Sequence, residues 1–142
     1  MKQFLFLLLS ITSLVGCSTP KTSEKVTYDY DDIQTHIEWN EVFSQSDSDY
    51  LVYFYSLTCG HCKEIKEDIL SYYFKNKPVM YFVETSNSKD ARFGPGGELI
   101  GIGDVDNFFI FGTPFLIRVI TKKVSEYYSG VKQITDYINM KA

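Results

Sequence analysis

Residues 56–65 read SLTCGHCKEI, which places Gly60 and His61 between two cysteines, Cys59 and Cys62. Thiols at that spacing can cycle between dithiol and disulfide, supply part of a metal site, or close a small structural loop. Zinc needs about four ligands, typically from a second CxxC or a histidine pair at short spacing. The only histidines are His61, inside the motif, and His36, far upstream, so a metal site is poorly supplied. Haem attachment needs a histidine directly after the second cysteine, where Lys63 stands. A two-residue loop removes little entropy from the unfolded chain, which makes it a weak staple. Redox exchange has a physical cause if the pair opens a helix, because the free N–H groups and the macrodipole there favour an anion. Cys59 is then the exposed thiolate that attacks, and Cys62, one turn further on, the more buried thiol that resolves. His61 and Lys63 add donors or positive charge that hold Cys59 deprotonated and push the pair toward the oxidising end. No bound cofactor is implied.

The flanking elements put the pair where that chemistry requires it. YLVYFYS, before the motif, is an uncharged run rich in Val, Tyr and Phe, and reads as a strand buried on both faces. CKEIKEDILSYYF, from the motif onward, reads as a helix with Ile65, Ile69, Leu70 and Tyr73 on one side. PVMYFVET is a second apolar strand. Upstream, IQTHIEWNEVF predicts an amphipathic helix from about Ile33 to Ser44, with Asp32 as a candidate cap and His36 a surface residue. Downstream, the glycine-rich segment Gly94–Gly103 holds five of the nine glycines. It lacks the GK[ST] of a phosphate loop and the third glycine of a dinucleotide fingerprint. Asp104 and Asp106 lack the remaining ligands of a calcium loop. A flexible loop and then a short helix from about Val105, capped by Asp104, are expected. PFLIRVI and KVSEYYSG predict an antiparallel hairpin turning near Thr121–Lys123. VKQITDYINMK closes the chain as a helix with Val131, Ile134, Tyr137 and Ile138 on one face. Alternation in the first half and the terminal hairpin together imply an α/β domain with a mixed sheet and helices on both faces.

The N-terminus speaks to compartment. MKQFLFLLLSITSLVGC has a positive start, about a dozen apolar residues, and LVGC at the end. The run suits a signal-peptide core and is short of the roughly 20 residues of a spanning helix. LVGC resembles a bacterial lipobox, in which the chain is cut before the cysteine and a lipid is attached to its sulfur. Residues 1–16 are then the signal peptide, Cys17 the lipidated residue, 17–31 a tether and 32–142 the domain. With Cys17 lipidated, the remaining two of the three cysteines form one pair with no thiol left over. The mature protein is expected outside the cytoplasm, where disulfides persist, on the bacterial cell membrane, or on the outer membrane of a double-membraned cell.

The chain carries 14 basic and 18 acidic residues, and without Lys2 the balance is 13 against 18. That acidic balance argues against nucleic acid as a partner. The expected partners are thiols and disulfides of envelope or secreted proteins, an unidentified redox partner, and the membrane through Cys17. The domain itself is expected to be a monomer.

With these elements in place, the chain resembles the thioredoxin family, and CGHC is typical of protein disulfide isomerase domains. LVYFYSLTCGHCK is similar to that family's buried strand, short loop and CxxCK. FGTPFLIRV places Thr113–Pro114 before a strand, where the family carries a cis-proline beside the active site, and Gly130 precedes the last helix as it often does there. The resemblance implies a thioredoxin-like fold with a central four-stranded sheet, thiol–disulfide oxidoreductase activity, and a redox disulfide between Cys59 and Cys62. It also implies that Pro114 is cis, and that Thr113, Pro114 and Gly60 border the substrate, which adds as a strand to the Thr113 backbone. Phe108, Phe109, Phe111 and Phe115 flank the proline loop, most of them as core and one or two as an apolar rim. Two positions depart from the family. Tyr53 stands where a buried Asp or Glu usually helps move the proton of the second cysteine, leaving a water or Glu64 to serve, and Thr58 replaces the usual Trp. The Tyr53 departure favours the rival reading, a thioredoxin-like accessory or binding lipoprotein with an inert disulfide.

Overall fold

The computed structural model describes residues 26–142. The expected signal peptide, the expected lipidation site Cys17 and the first part of the expected tether lie outside the described residues.

Four strands form one mixed sheet: β1 (Asp49–Tyr55), β2 (Met80–Glu84), β3 (Phe115–Ile120) and β4 (Lys123–Ser129), in the order β2-β1-β3-β4. Strand β1 pairs parallel with β2 and antiparallel with β3, and β3 pairs antiparallel with β4. The parallel pair is joined by α1 (Gly60–Asn76), and α2 (Gly130–Lys141) closes the chain. The β3–β4 connection is two residues long, and both Thr121 (φ 47) and Lys122 (φ 62) take the left-handed conformation that a tight hairpin turn demands.

Strand alternation divides the core into two halves. Leu51, Tyr53, Tyr55, Phe82 and Leu116 face α1 and α2, where Ile65, Ile69, Leu70, Ile134, Tyr137 and Ile138 pack against them. Tyr50, Val52, Phe54, Phe115, Ile117 and Val119 face the other way, against Trp39, Val42, Phe43, Leu99, Phe108 and Ile110. Both α-helices therefore cover one face. The opposite face, where a helix was also expected, is covered by a 3₁₀ turn and irregular chain.

Two expected helices are absent, for reasons visible in the packing. Ile33 belongs to the core half under the helices, whereas Trp39, Val42 and Phe43 belong to the other. One helical stripe cannot serve both faces of a sheet. The segment instead crosses the edge of the sheet in extended form, where Phe82 N–H donates to the Thr35 carbonyl (3.0 Å) and Ile37 N–H to the Phe82 carbonyl (2.9 Å). Only the 3₁₀ turns Tyr30–Asp32 and Trp39–Glu41 remain. Asp29, not Asp32, caps the first: its carboxylate accepts from Tyr30 N–H, while Asp32 accepts from Asp29 N–H. Near Val105, the Asp104 carboxylate caps a turn by accepting Asn107 N–H at 2.9 Å, and no helix follows.

The glycine-rich segment is not a loose loop. Leu99 is fully buried. Gly94 N–H donates to the Ile110 carbonyl, Gly101 N–H to the Val124 carbonyl, and Val124 N–H to the Ile102 carbonyl. The tether boundary also shifts. Tyr28 stacks on Phe74 of α1 at 4.3 Å between ring centroids, and Asp29 pairs with Lys66 of α1 at 2.8 Å. Tyr30 is buried. Chain expected to be tether therefore packs against α1 from Tyr28 onward.

Candidate active site

Strand β1 runs out of the core at Tyr55, and Ser56–Thr58 turn the chain into α1. The turn is held by Cys59 N–H donating to the Ser56 carbonyl (3.2 Å) and by contact between the Ser56 and Thr58 hydroxyls (3.0 Å). Cys59 is the N-cap of α1. Its backbone is extended, and its Sγ accepts Cys62 N–H at 3.1 Å. A cysteine sulfur thus stands where Ser or Asp usually satisfies the open N–H groups of a helix start, a position that favours its anion.

The two sulfurs sit in unlike surroundings. Cys59 is half-buried and Cys62 is 1% exposed. Burial by itself raises the Cys59 thiol, but donors outweigh it: the Cys62 thiol, the Thr113 side chain, and the N–H groups of Cys62 and His61. The net effect holds Cys59 below the ordinary thiol range. The Thr113 carbonyl, 3.2 Å from Cys59 Sγ, accepts from the thiol when it is protonated. Burial, followed by the hydrogen bond it gives to Cys59, pushes Cys62 up to about 11. One thiol is primed as nucleophile while its neighbour keeps its proton, a division of labour suited to sequential attack and resolution.

The second wall of the site comes from the other end of the fold. The Thr113–Pro114 peptide bond is cis, as expected, and Pro114 is buried at the entrance to β3. Gly130, with φ 79, lets the chain turn from β4 into α2 while its N–H donates to the Pro114 carbonyl at 3.0 Å. A groove of about 490 Å³ runs beside Cys59, lined by His61, Phe111, Thr113, Pro114, Gly130 and Val131 among others. A Cβ added at Gly60 would meet no atom, so the face above Cys59 is open. Of the four phenylalanines near the proline, Phe108 and Phe115 are fully buried, while Phe109 and Phe111 are half-buried and Phe111 lines the groove.

His61 reaches Cys59 only through its backbone N–H. Its imidazole is turned outward, with Nδ1 3.4 Å from Glu64 and 77% of the side chain exposed. Glu64 is engaged there, on the solvent side of α1, and is not placed to take a proton from buried Cys62. Tyr53 is wholly buried on the face of β1 that looks toward α1 and Cys62. Burial, above all, drives its hydroxyl pKa far above the ordinary value, so it is no base at neutral pH. Sequence reasoning missed Tyr30, read there as tether. The alternation of tyrosine with acid in YDYDD is the only signal that one face of that stretch is buried.

Residues 32–92, which include Cys59 and Cys62, match the family model described as Thioredoxin. Among solved structures, mitochondrial thioredoxin 3 from Saccharomyces cerevisiae in its oxidized form superposes with a TM-score of 0.52 at 12% identity, covering 75% of this chain and 92% of that one. Thioredoxin NaTrxh from Nicotiana alata superposes with a TM-score of 0.51 at 19% identity, covering 72% and 76%. No curated protein sequence matches the chain. The fold is thioredoxin-like.

Proposed function

Starting from this thioredoxin-like fold and the match of residues 32–92, we propose that the protein is a membrane-anchored, extracytoplasmic thiol–disulfide oxidoreductase of the thioredoxin family that exchanges disulfides with envelope or secreted proteins through Cys59 and Cys62. The observation that carries the reading is the asymmetry of the pair: a lowered, half-exposed Cys59 at a helix N-cap beside a raised, buried Cys62. Reducing a substrate, the Cys59 thiolate attacks one sulfur of its disulfide, forming a Cys59–substrate disulfide and expelling the other sulfur as a thiolate that takes a proton. Cys62 then gives up its proton and attacks Cys59 Sγ. The mixed disulfide breaks, the second substrate sulfur leaves and is protonated, and the Cys59–Cys62 disulfide remains. Run backwards, the same steps donate a disulfide. Thr113 and Pro114 border the incoming chain, the Thr113 backbone offers it strand-like pairing, and the open face at Gly60 admits it. His61 tunes Cys59 through its N–H.

The deciding measurement is the equilibrium reduction potential of Cys59–Cys62 against glutathione. A value of about −120 to −180 mV identifies a disulfide donor or isomerase, and one near about −270 mV a reductant. A pair that does not exchange overturns the reading in favour of an inert disulfide. The anchor rests on the LVGC sequence. A Cys17→Ala variant should move from the membrane fraction to the soluble one, and one that stays on the membrane refutes lipid attachment at Cys17.

A further inference from the structure

The side of α1 that carries Cys62 faces a cluster of tyrosines. Tyr53, in the middle of β1, is 0% exposed and Tyr30, from the first 3₁₀ turn, is 5% exposed. Both belong to the same core half as Cys62. Tyr30 stacks on Tyr55 at 3.9 Å between centroids, and Tyr55 lies parallel to Tyr53 at 6.1 Å. The stack fixes both rings. The two hydroxyls influence each other and both cysteines. The hydroxyls approach each other, yet neither has a well-formed hydrogen-bond partner among the described residues. A buried hydroxyl without a partner is destabilising, and natural cores rarely hold two in one place. Trp39, the remaining buried side chain without a partner among the described residues, belongs to the opposite core half from Cys62.

We propose that the Tyr53 and Tyr30 hydroxyls are positioning residues for Cys62, uncharged donors that stabilise its thiolate while it attacks the Cys59 mixed disulfide. The proposal rests on the thiol-exchange reading. In the dithiol, Cys62 donates to Cys59. Once Cys59 is tied to substrate, that thiolate is gone, and Cys62 must ionise with the Thr113 side chain and the Ser56 backbone to favour its anion on one side and these hydroxyls on its buried side. Burial raises both tyrosines, so they keep their protons and act by donation. The proton of Cys62 passes to solvent, and its electron pair forms the Cys59–Cys62 bond. The substrate sulfur departs with the pair from the broken bond and takes up a proton in turn. Two neutral donors do for the resolving thiolate what no acidic side chain here is placed to do.

The test follows the reduced, purified protein with 5,5′-dithiobis(2-nitrobenzoate) in a stopped-flow instrument. The first thionitrobenzoate release reports attack by Cys59 and the second reports resolution by Cys62. Hydrogen bonds to charged groups are the stronger kind, so Tyr53→Phe should slow the second release about tenfold and move its pH midpoint upward. The first release should stay within about twofold. Tyr30→Phe should act in the same direction. Both variants should unfold at an unchanged or higher denaturant concentration, since each loses a hydroxyl that has no partner in the resting fold. Unchanged second release in both variants overturns the proposal. So does equal slowing of both releases with a loss of stability, which would mark the hydroxyls as structural. A wild-type protein that shows no second release instead overturns the thiol-exchange reading itself.

Discussion

Replacing Cys62 by alanine should change the reactivity of Cys59 in opposite directions at low and high pH. The substitution removes the thiol that donates to the Cys59 sulfur but leaves the Cys62 and His61 N–H groups and the Thr113 side chain in place. A hydrogen bond to a charged group is worth about 1.5–3 kcal/mol. Because Cys59 is half-exposed, water replaces part of what is lost. A net loss of about 1.4 kcal/mol corresponds to a rise of about one pKa unit. Well below the midpoint, the thiolate fraction then falls about tenfold, while its intrinsic nucleophilicity rises about threefold for a Brønsted slope of about 0.4–0.5. The variant should therefore react about three- to fourfold more slowly with a small neutral disulfide in acid, and about threefold faster on the alkaline plateau.

The assay is the rate of mixed-disulfide formation with hydroxyethyl disulfide, read by mass spectrometry across the pH range. The two profiles should cross. Cys62→Ser, which keeps a hydroxyl donor at the same place, should recover most of the low midpoint. A midpoint that stays put or falls in Cys62→Ala would refute the idea that Cys62 holds Cys59 down, and would leave the helix N-terminus and Thr113 as the cause.

Alkali should unfold the protein through its buried phenols. Burial raises Tyr50 and Tyr137 from 10 to about 12, so the stability they contribute is full below pH 10 and is lost as pH climbs toward about 12; urea midpoints across that window should fall steadily. In the reduced form, Cys62 adds the same trend between 9 and about 11, so the oxidised protein should keep its midpoint further into alkali. Gly94→Ala places a Cβ 2.3 Å from the Phe109 ring, which abuts Phe111 at 5.9 Å in the groove wall. It should cost about 1–3 kcal/mol by overpacking and weaken exchange with protein substrates while sparing the reaction of Cys59 with hydroxyethyl disulfide. Equal effects on both substrates would disconnect that segment from the groove. Removing the chain through Asp32 strips Tyr28 and Tyr30 from α1 and should cost at least the roughly 3–5 kcal/mol of a lost buried aromatic, seen as a lower thermal midpoint. An unchanged midpoint would restore the domain boundary expected from sequence.

The central elements were legible because each is written in one period. The uncharged run at Tyr50–Tyr55 carries side chains buried on both faces of a central strand, and the apolar stripe of α1 meets only one layer. Their junction fixed the place of Cys59, and the Thr113–Pro114 pair marked the opposite wall. What failed was chain that packs on two layers at once. Ile33 and Trp39 sit six residues apart in a run that counts as helical, but they enter different halves of the core. The glycine-rich segment failed for the converse reason. Its order comes from backbone hydrogen bonds to β4 and the Ile110 region and from one buried leucine, and neither leaves a period in sequence.

The chemistry of the site divides along the same line. The nucleophile is specified mostly locally: a cysteine at a helix N-cap acquires all its donors but the Thr113 side chain from the next three residues, so the tetrapeptide and the following helix are enough to assign it. The resolving thiol is specified by what lies behind it, and that is assembled from β1 and from a 3₁₀ turn whose Tyr30 is 32 positions before Cys62. A local reading of Tyr53 records only a missing acid. Placed beside Tyr30, it becomes one of two buried hydroxyls on a tyrosine stack with no well-formed partner among the described residues. A carboxylate there would be a charge beside a thiol that must itself become charged, whereas two neutral donors leave the thiolate as the only charge in that part of the core. The rate of resolution should then depend on whether those hydroxyls can turn toward Cys62, and little on the ionisation of any carboxyl group.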